Sequence, residues 1–177
     1  MAKNVAIKRI EEPLRMEDAK IIWTNFAGVK GRYNQPGFRN FHLVIEDEEL
    51  AQRMIADGWN LKRFKPREDD DVPPDGYHMQ VVVAFDRGRP PKIILVTNES
   101  QTYLNEETVE RLDSADILSC DIEVRPSNWS QPDGRHGVKG YLQTLYVVAR
   151  EDPFAHKYQH LAIHSNQADV NVDVLDD

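Results

Sequence analysis

The chain has 177 residues, of which 40% are hydrophobic and 29% charged, and this predicts one soluble globular domain with a real core. Its net charge of −8 argues, taken alone, against a nucleic-acid partner, because phosphate binding needs lysine and arginine. The single cysteine, Cys120, excludes an intrachain disulfide and a cysteine-based zinc site. No apolar run approaches the roughly 20 residues of a membrane helix. Residues 1–16 also lack the apolar region of a secretory signal, so we expect a cytoplasmic protein.

Strand-like and helix-like segments follow one another along the chain. The strand-like segments, rich in β-branched and aromatic residues, are 20–28, 40–46, 77–86, 92–98, 117–126 and 138–150. The predicted helices are 47–59, with Asp47 as N-cap and Gly58 as its stop, 105–114, and 153–164. The fold class that this order favours is mainly β, an OB-fold-like antiparallel β-barrel with helical insertions and a C-terminal helix. A β-sandwich fits the pattern almost as well.

The chain divides into three parts by composition. We expect the barrel domain at 1–150, the C-terminal helix at 151–165 and an acidic tail at 166–177, which lacks aromatic residues and is predicted to be disordered. The acids of the tail are Asp169, Asp173, Asp176 and Asp177. A like-charged end of this kind is typical of an interaction tail, and beside a basic groove it would compete with phosphates. The alternative is a solvated end without a role.

Positive charge is concentrated between residues 20 and 67, where nine basic residues stand against five acids. Basic and aromatic side chains alternate around a glycine- and proline-containing loop in this region. The members that we expect to bind a ligand are Trp23, Phe26, Lys30, Arg32, Tyr33 and Arg39. Single-stranded DNA needs cations for its phosphates and flat rings for its bases, so the pattern indicates a site for it. The alternative is that Trp23 and Phe26 are core residues and that the cations only solubilise the surface.

Two further segments, residues 58–67 and 127–143, combine cations with aromatic rings. The first is suited to tracking a phosphate backbone, unless it is only a polar connector. The second predicts a hairpin whose loop carries a tryptophan, unless that ring folds back on its own hairpin. The nucleic-acid contacts expected in the two segments are Lys62, Arg63, Lys65, Trp129, Lys139 and Tyr141.

Sequence patterns for catalysis and metal binding are absent. There is no GxSxG, P-loop or GxGxxG motif. His156, His160 and His164 repeat on one helical face, but no HExxH motif accompanies them, so we expect no metal and no cofactor. Asp121 and Glu123 share a strand face without a third acid. We therefore expect a non-enzyme, with a metal-dependent nuclease as the weaker alternative.

Five segments of the chain resemble a family of bacteriophage-encoded single-stranded-DNA-binding proteins of replication and recombination. They are IIWTNFAG, RNFHLVIEDEELAQRMIADGWNLK, PPKIILVTN, VRPSNW and VKGYLQTLYVVAREDPFAHKY, and the likeness covers roughly residues 18–158. The resemblance implies an OB-fold that binds single-stranded DNA without sequence preference and without catalysis. The ligand-facing positions that it implies are Trp23, Phe26, Arg32, Tyr33, Arg39, Trp129, Lys139 and Tyr141.

The resemblance also implies partners for the acidic tail, because related phage and bacterial proteins recruit polymerase, helicase or recombinase through such tails. Several of those tails end in phenylalanine, whereas this chain ends in DVNVDVLDD. Replication or recombination proteins are therefore expected partners, recruited by the tail but not through a terminal aromatic residue. The sequence is compatible with a homodimer, and we expect no membrane partner. The alternative to a DNA-binding protein is a structural or interaction protein of the phage.

Overall fold

The computed structural model describes residues 7–69, 71, 75–98 and 100–150. The strands are β1 (Leu14–Ala19), β2 (Ile21–Asn25), β3 (Arg39–Ile45), β4 (Lys62–Arg63), β5 (Tyr77–Val83), β6 (Lys92–Val96), β7 (Gln101–Leu104), β8 (Ile117–Ser130) and β9 (His136–Ala149). The helix α1 spans Glu48–Asp57, and a 3₁₀ helix spans Val109–Asp113. None of the helices among these residues is both long and apolar enough to span a membrane. The prediction of a mainly β fold is confirmed.

The nine strands of the described residues form one sheet, whose main order is β1-β8-β9-β5-β3-β2. Strand β4 adds to β5, and β6 pairs with β9 and carries β7 at its other side. The pairs are antiparallel except β5 with β9 and β6 with β9, which are parallel. The long hairpin of β8 and β9 therefore forms the centre of the sheet.

The two ends of this sheet belong to neighbouring pieces of chain. Strand β1 pairs with β8, where Ala19 lies opposite Cys120, and β2 pairs with β3, where Ile21 lies opposite Leu43. Only Lys20 separates the two strands, and its carbonyl accepts a hydrogen bond from the Val44 amide at 2.9 Å. In the described part of the chain β1 and β2 do not pair with each other, so the sheet does not close by strand pairing.

Alternation along the strands produces the core. In β3, Phe41, Leu43 and Ile45 are fully buried, and Met79 and Val81 of β5 are buried beside them. Burying an aliphatic or aromatic side chain of this size stabilises the fold by roughly 1.5–3 kcal/mol. The core is completed from the other strands by Ile93, Leu95, Leu104, Ile122, Val124, Leu145 and Val147. Alternate residues of β3 and β5 are consequently directed to the other face of the sheet.

Helix α1 begins and ends as its sequence predicts. The Asp47 side chain accepts a hydrogen bond from the Leu50 amide at 3.0 Å. Gly58 has a φ of +97°, and its amide donates to the Ile55 carbonyl. A left-handed glycine of this kind is a common end of a helix, because other residues are strained there. The helix buries Ala51 and Met54 against the sheet.

Two predictions of secondary structure need correction. The helix predicted at 105–114 is only a 3₁₀ helix at Val109–Asp113. The Asn105 side chain accepts hydrogen bonds from the amides of Glu107 and Thr108, and the segment before Val109 therefore forms a turn. Strands β1, β4 and β7 were not predicted from the sequence, and each of them pairs with only one neighbouring strand. The predicted C-terminal helix at 151–165 and the acidic tail at 166–177 lie outside the described residues.

Candidate nucleic-acid interface

The face of β3 and β5 opposite the core, which we call the outer face, is partly covered: Asn40, Val44 and Val82 are buried, and His42, His78 and Gln80 are half-buried. It carries Asn40, His42 and Val44 from β3 and His78, Gln80 and Val82 from β5. The register pairs Val44 with His78, His42 with Gln80 and Asn40 with Val82. The seven paired positions of the two strands extend over about 20 Å, since a strand rises about 3.4 Å per residue.

Four aromatic rings meet at one end of the outer face. Trp23 is 56% exposed, and its ring centroid lies 5.1 Å from that of His42 and 4.9 Å from that of His78, both edge-on. Phe64 lies 5.9 Å from Trp23 and 4.8 Å from His78. We call Trp23, His42, Phe64 and His78 the aromatic cluster. They come from β2, β3, β5 and the segment after β4, so the sheet assembles the cluster from four places in the chain.

Trp23 reaches this cluster through an irregular backbone. Its φ is +50°, which is uncommon for a residue other than glycine. The irregularity lies where the register of β2 and β3 shifts between Ile22 and Asn25. As a result Ile22 and Trp23 both line the same groove, although they are neighbours in a strand.

Cations line a groove of about 640 Å³ together with Trp23, Phe64 and His78 of the aromatic cluster, and we call it the Trp23 groove. Its charged lining residues are Lys20, Glu46, Lys62, Arg63, Lys65, Arg67 and Asp75. Arg63 donates a hydrogen bond to the Tyr77 hydroxyl at 3.2 Å and lies 3.9 Å from Asp75. Exposed cations beside half-exposed rings can contact the phosphates and the bases of a nucleic-acid strand together.

The two histidines of the cluster are hydrogen-bonded to each other. The Nδ1 atoms of His42 and His78 are 3.0 Å apart. Burial, the neighbouring His78 and then Lys62 lower the pKa of His42 to about 4. Burial and Lys62 lower the pKa of His78 as well. Both imidazoles are therefore neutral at pH 7, and the positive charge of the groove comes from lysine and arginine.

A second group of rings and cations lies at the other end of the outer face. Lys139 Nζ is 5.8 Å from the ring centroids of both Phe38 and Tyr141, and the Arg87 guanidinium is 5.1 Å from that of Tyr141. We call Phe38, Arg87, Lys139 and Tyr141 the Lys139 cluster. Tyr141 of β9 lies opposite Val82 of β5, so the cluster continues the outer face onto β9.

The loop between β2 and β3 is held by its own side chains. Asn34 Nδ2 donates to the carbonyls of Val29, Gln35 and Phe38 at 3.0–3.1 Å. This leaves Tyr33 at the tip of the loop, 90% exposed, with the Arg32 guanidinium 5.3 Å from its ring centroid.

The base of the same loop is held by a residue distant in sequence. The Asp113 carboxylate accepts hydrogen bonds from the amides of Phe26 and Ala27 at 2.9 and 2.8 Å. Asp113 is the last residue of the 3₁₀ helix, so that helix sets where the loop leaves β2.

The structure brings some of the predicted site residues together and separates others. Trp23, Lys62, Arg63 and Lys65 meet in the Trp23 groove, and Lys139 and Tyr141 meet in the Lys139 cluster. Lys30, Arg32 and Tyr33 are exposed in the loop. Trp129 lies in β8 and not in the predicted loop; it is 42% exposed and folds onto Gly137 of its own hairpin, where an added Cβ would come within 3.0 Å of the indole.

Phe26 is the clear correction among these predictions. Its side chain is fully buried, and its ring centroid lies 5.4 Å from that of Phe41 in the core. The alternative that Phe26 is a core residue therefore holds, and Phe26 cannot stack on a base in this structure.

Arg39 and Tyr141 are less accessible than the sequence suggested. The Arg39 side chain is only 20% exposed and lies 3.4 Å from Glu106 Oε1, above the Phe85 ring. Tyr141 is 7% exposed and presents its ring to Arg87 and Lys139 rather than to solvent.

The expected contacts did not include His42, His78 or Arg87, and they also left out Phe38 and Phe64, although both belong to the basic and aromatic segments that the sequence shows. A signal existed for the histidines, because they alternate with the buried residues of β3 and β5 and must lie on the outer face. The signal for Phe64 was its place among the four cations of residues 58–67, but its contact with Trp23 and His78 depends on strands distant in sequence. Among the described residues no group of three or more histidine, cysteine or acidic side chains could hold a metal ion.

Comparison with known proteins places the chain in a family. Residues 2–177 match the family model described as "Putative phage ssDNA-binding domain". No curated protein matches the chain.

Solved structures of phage proteins share low similarity with the chain. The single-stranded DNA-binding protein from bacteriophage Enc34 is 10% identical with a TM-score of 0.48, over 92% of this chain and 93% of that one. Its C-terminally truncated form is 11% identical with a TM-score of 0.48, over 83% and 95%. Gp2.5, a single-stranded DNA binding protein encoded by bacteriophage T7, is 9% identical with a TM-score of 0.36, over 88% and 97%. Membership rests on the family model, which spans nearly the whole sequence, and the chain belongs to the family of phage single-stranded-DNA-binding domains.

Proposed function

We propose that the chain coats single-stranded DNA without sequence preference and that the outer face is the path of the strand. The observation that carries this proposal is the convergence of rings and cations from separate elements in the Trp23 groove. Stacking of a base on an aromatic side chain contributes roughly 1–3 kcal/mol and tolerates every base, because every base has a flat face. The surrounding lysines and arginines bind the phosphates and release counterions.

The strand runs from the Trp23 groove to the Lys139 cluster in this proposal. The outer face of β3 and β5 joins the two ends, and His78 and Val82 on it are four residues, or about 14 Å, apart along β5. Arg32 and Tyr33, at the exposed tip of the β2–β3 loop, add a cation and a ring beside this path. The DNA is bound, and no bond in it is made or broken.

The fold that we propose for this function is an OB-like barrel. Residues 14–25 act in it as one bent strand, because β1 and β2 are separated only by Lys20 and pair with the two opposite ends of the sheet. Joining both ends through one strand closes the sheet around the core without a pairing between β1 and β2. The alternative is an open sheet whose two edges are only adjacent.

We further propose that residues 1–150 form the DNA-binding domain, followed by a helix at 151–165 and an acidic tail at 166–177. The tail carries four aspartates in its last nine residues and no aromatic residue. It competes with DNA phosphates for the basic groove and recruits replication or recombination proteins in the host cytoplasm. A homodimer is compatible with this arrangement, and its test is the mass of the free protein in solution.

Fluorescence anisotropy with labelled oligo-dT at several salt concentrations tests the proposal. We expect the double variant Lys62→Ala/Lys65→Ala to bind more weakly and with a smaller slope of log affinity against log salt. Each phosphate contact of a single strand accounts for about 0.7 of that slope. The matched control is Arg15→Ala, which removes a cation from β1, three strands away from β5 in the sheet. Equal losses in the two variants would contradict the outer face as the path.

A further inference from the structure

One buried side-chain nitrogen has no hydrogen-bond partner among the described residues, and it is Arg39 Nε. We propose that Arg39 belongs to a binding site for one DNA phosphate, which we call the Arg39 site, and that Glu106 occupies this site until the phosphate displaces it. This inference rests on the proposed function and adds to it an acidic competitor within the DNA-binding domain.

The position of Arg39 in β3 explains its burial. Arg39 alternates in phase with Phe41 and Leu43, which are fully buried, so its side chain is directed to the core side of the sheet. Strand β3 begins at Arg39, and the guanidinium lies at the end of the core, 5.7 Å from the centroid of the Phe85 ring. Arginine keeps its charge in such a place, so the covered guanidinium needs an anionic partner.

Glu106 is the anionic partner of Arg39 in the described part of the chain, and its contacts are long. Glu106 Oε1 and the Glu106 carbonyl each accept a hydrogen bond from the guanidinium at 3.4 Å. Hydrogen bonds between a cation and an anion are usually about 2.7–2.9 Å long. The Glu106 side chain is also 60% exposed. An exposed ion pair contributes little to stability, so an incoming anion can displace the carboxylate at small cost.

A cavity of about 250 Å³ adjoins this ion pair and is lined by further cations. Its charged lining residues are Arg39, Asp86, Arg87, Glu106 and Lys139. Arg87 and Lys139, both exposed members of the Lys139 cluster, therefore share the cavity with Arg39. Three cations face two acids, and the balance becomes three against one when Glu106 moves away.

A phosphodiester group matches the donors of this cavity. It carries one negative charge and two free oxygens, and a guanidinium can donate two parallel hydrogen bonds to such a group. The Nε–H of Arg39 and one of its terminal N–H groups form such a pair of donors. Because Nε is covered in the free protein, the Arg39 side chain turns as Glu106 leaves. The phosphate then satisfies the nitrogen that Glu106 leaves unpaired, and an unpaired buried donor is costly.

The competitor distinguishes a bound strand from dissolved anions. A strand held elsewhere on the outer face presents its next phosphate to the Arg39 site at a high effective concentration. A free anion has to displace Glu106 from solution without that advantage. Glu106 therefore keeps the site from small anions and yields it to DNA.

Two conservative variants of neighbouring acids separate displacement from a general effect of charge. Glu106→Gln removes the competitor, whereas Glu107→Gln removes the same charge from an exposed residue that forms no ion pair among the described residues. In anisotropy titrations of the full chain, we expect Glu106→Gln to bind oligo-dT about 2- to 5-fold more tightly, the equivalent of one exposed ion pair. The gain from Glu107→Gln should be clearly smaller. Equal gains would overturn the proposal.

Replacement of Arg39 tests whether its guanidinium reaches a phosphate. Arg39→Gln should lower the slope of log affinity against log salt by about 0.7, the value for one phosphate of a single strand. In the double variant Arg39→Gln/Glu106→Gln, the gain from Glu106→Gln should fall to that of Glu107→Gln, because no ion pair remains to be broken. An unchanged slope, or a full gain without Arg39, would overturn the proposal.

The wild-type full chain gives a test that does not depend on the affinity of a variant. Nitrogen-15 NMR observes arginine Nε–H groups, and the Arg39 signal is identified by its loss in Arg39→Lys. Saturation with oligo-dT should shift this signal, whereas inorganic phosphate at the same phosphate concentration should not. An Arg39 signal that stays unchanged in the DNA complex would overturn the proposal.

The outcomes also separate this inference from the proposed function. Salt-dependent binding of oligo-dT with equal affinities of Glu106→Gln and Glu107→Gln would overturn only the Arg39 site. Absence of any binding to oligo-dT by the wild-type chain at low salt would overturn both.

Discussion

The two ends of the outer face combine the same residue types in different ways. In the Trp23 groove the rings and the cations are both accessible, and Trp23 is 56% exposed. In the Lys139 cluster the Tyr141 ring is 7% exposed, and Arg87 and Lys139 lie near it. A ring that already contacts cations serves to position them, whereas an open ring is available to a base. From this difference we expect the groove to bind bases and the Lys139 cluster to bind phosphates.

Replacement of Trp23 should have the largest effect on affinity. Trp23→Ala removes the accessible stacking ring, so oligo-dT affinity should fall by roughly 5- to 150-fold, the equivalent of about 1–3 kcal/mol. The salt slope should stay near that of the wild type, because no cation is lost. Anisotropy titrations at three salt concentrations measure both quantities. Trp129→Ala is the matched control, and an equal loss there would remove the special role of the groove.

Replacement of Lys139 should have a smaller effect of a different kind. Lys139→Ala should lower the salt slope by about 0.7, the value for one phosphate of a single strand. The loss should be the same for oligo-dT, oligo-dC and a strand of abasic sites, because no base contact is removed. The same titrations provide the test. If Lys139→Ala lowered the affinity only for strands that carry bases, Lys139 would contact bases, and the two ends would not divide base and phosphate binding between them.

The smallest of the three expected effects is a change in folding stability with pH, and it arises at the end of the outer face that contains His42. His42 belongs to the aromatic cluster, and its pKa is lowered from 6.5 to about 4, so the unfolded chain binds more protons between these values. Its contribution to stability is therefore complete above pH 6.5 and decreases as the pH falls towards 4. Urea unfolding at pH 7.5 and pH 5 measures the change. His42→Gln should flatten the profile, and an unchanged profile would contradict the burial of this imidazole as its cause.

The sequence was sufficient for the parts of the site that depend on strict alternation. Because Phe41, Leu43 and Ile45 point inward, the residues between them must lie on the outer face of β3. The same alternation assigns the residues of β5 to its two faces. Helix α1 was equally predictable, since Asp47 and Gly58 are strong signals for its two ends.

The remaining parts depended on irregular backbone and on distant contacts. Alternation assigns Ile22 and Trp23 to opposite faces, and only the left-handed backbone at Trp23 directs both to the groove. Arg39 looked like a free cation, but it lies against Glu106, which is 67 positions away in the sequence. Its largely covered position could not be inferred from neighbouring residues.

The net charge was the most misleading single property. At −8 it argues against a DNA ligand, yet five of the cations between residues 20 and 67 line one groove. Binding responds to the charge near the bound strand, because distant exposed charges are screened within about 10 Å at moderate salt. We therefore expect the local placement of charge, and not the total, to decide the ligand.

Photocrosslinking of an oligonucleotide that carries 5-bromouracil, read out by mass spectrometry, tests the central claim most directly. The wild-type full chain is irradiated in complex with the strand, and the crosslinked residues are identified. We predict crosslinks at Trp23 and Phe64. Tyr103 of β7 is 69% exposed and lies away from the outer face, so it serves as an internal comparison. Crosslinks at Tyr103 with none at Trp23 or Phe64 would contradict the outer face as the path of the DNA.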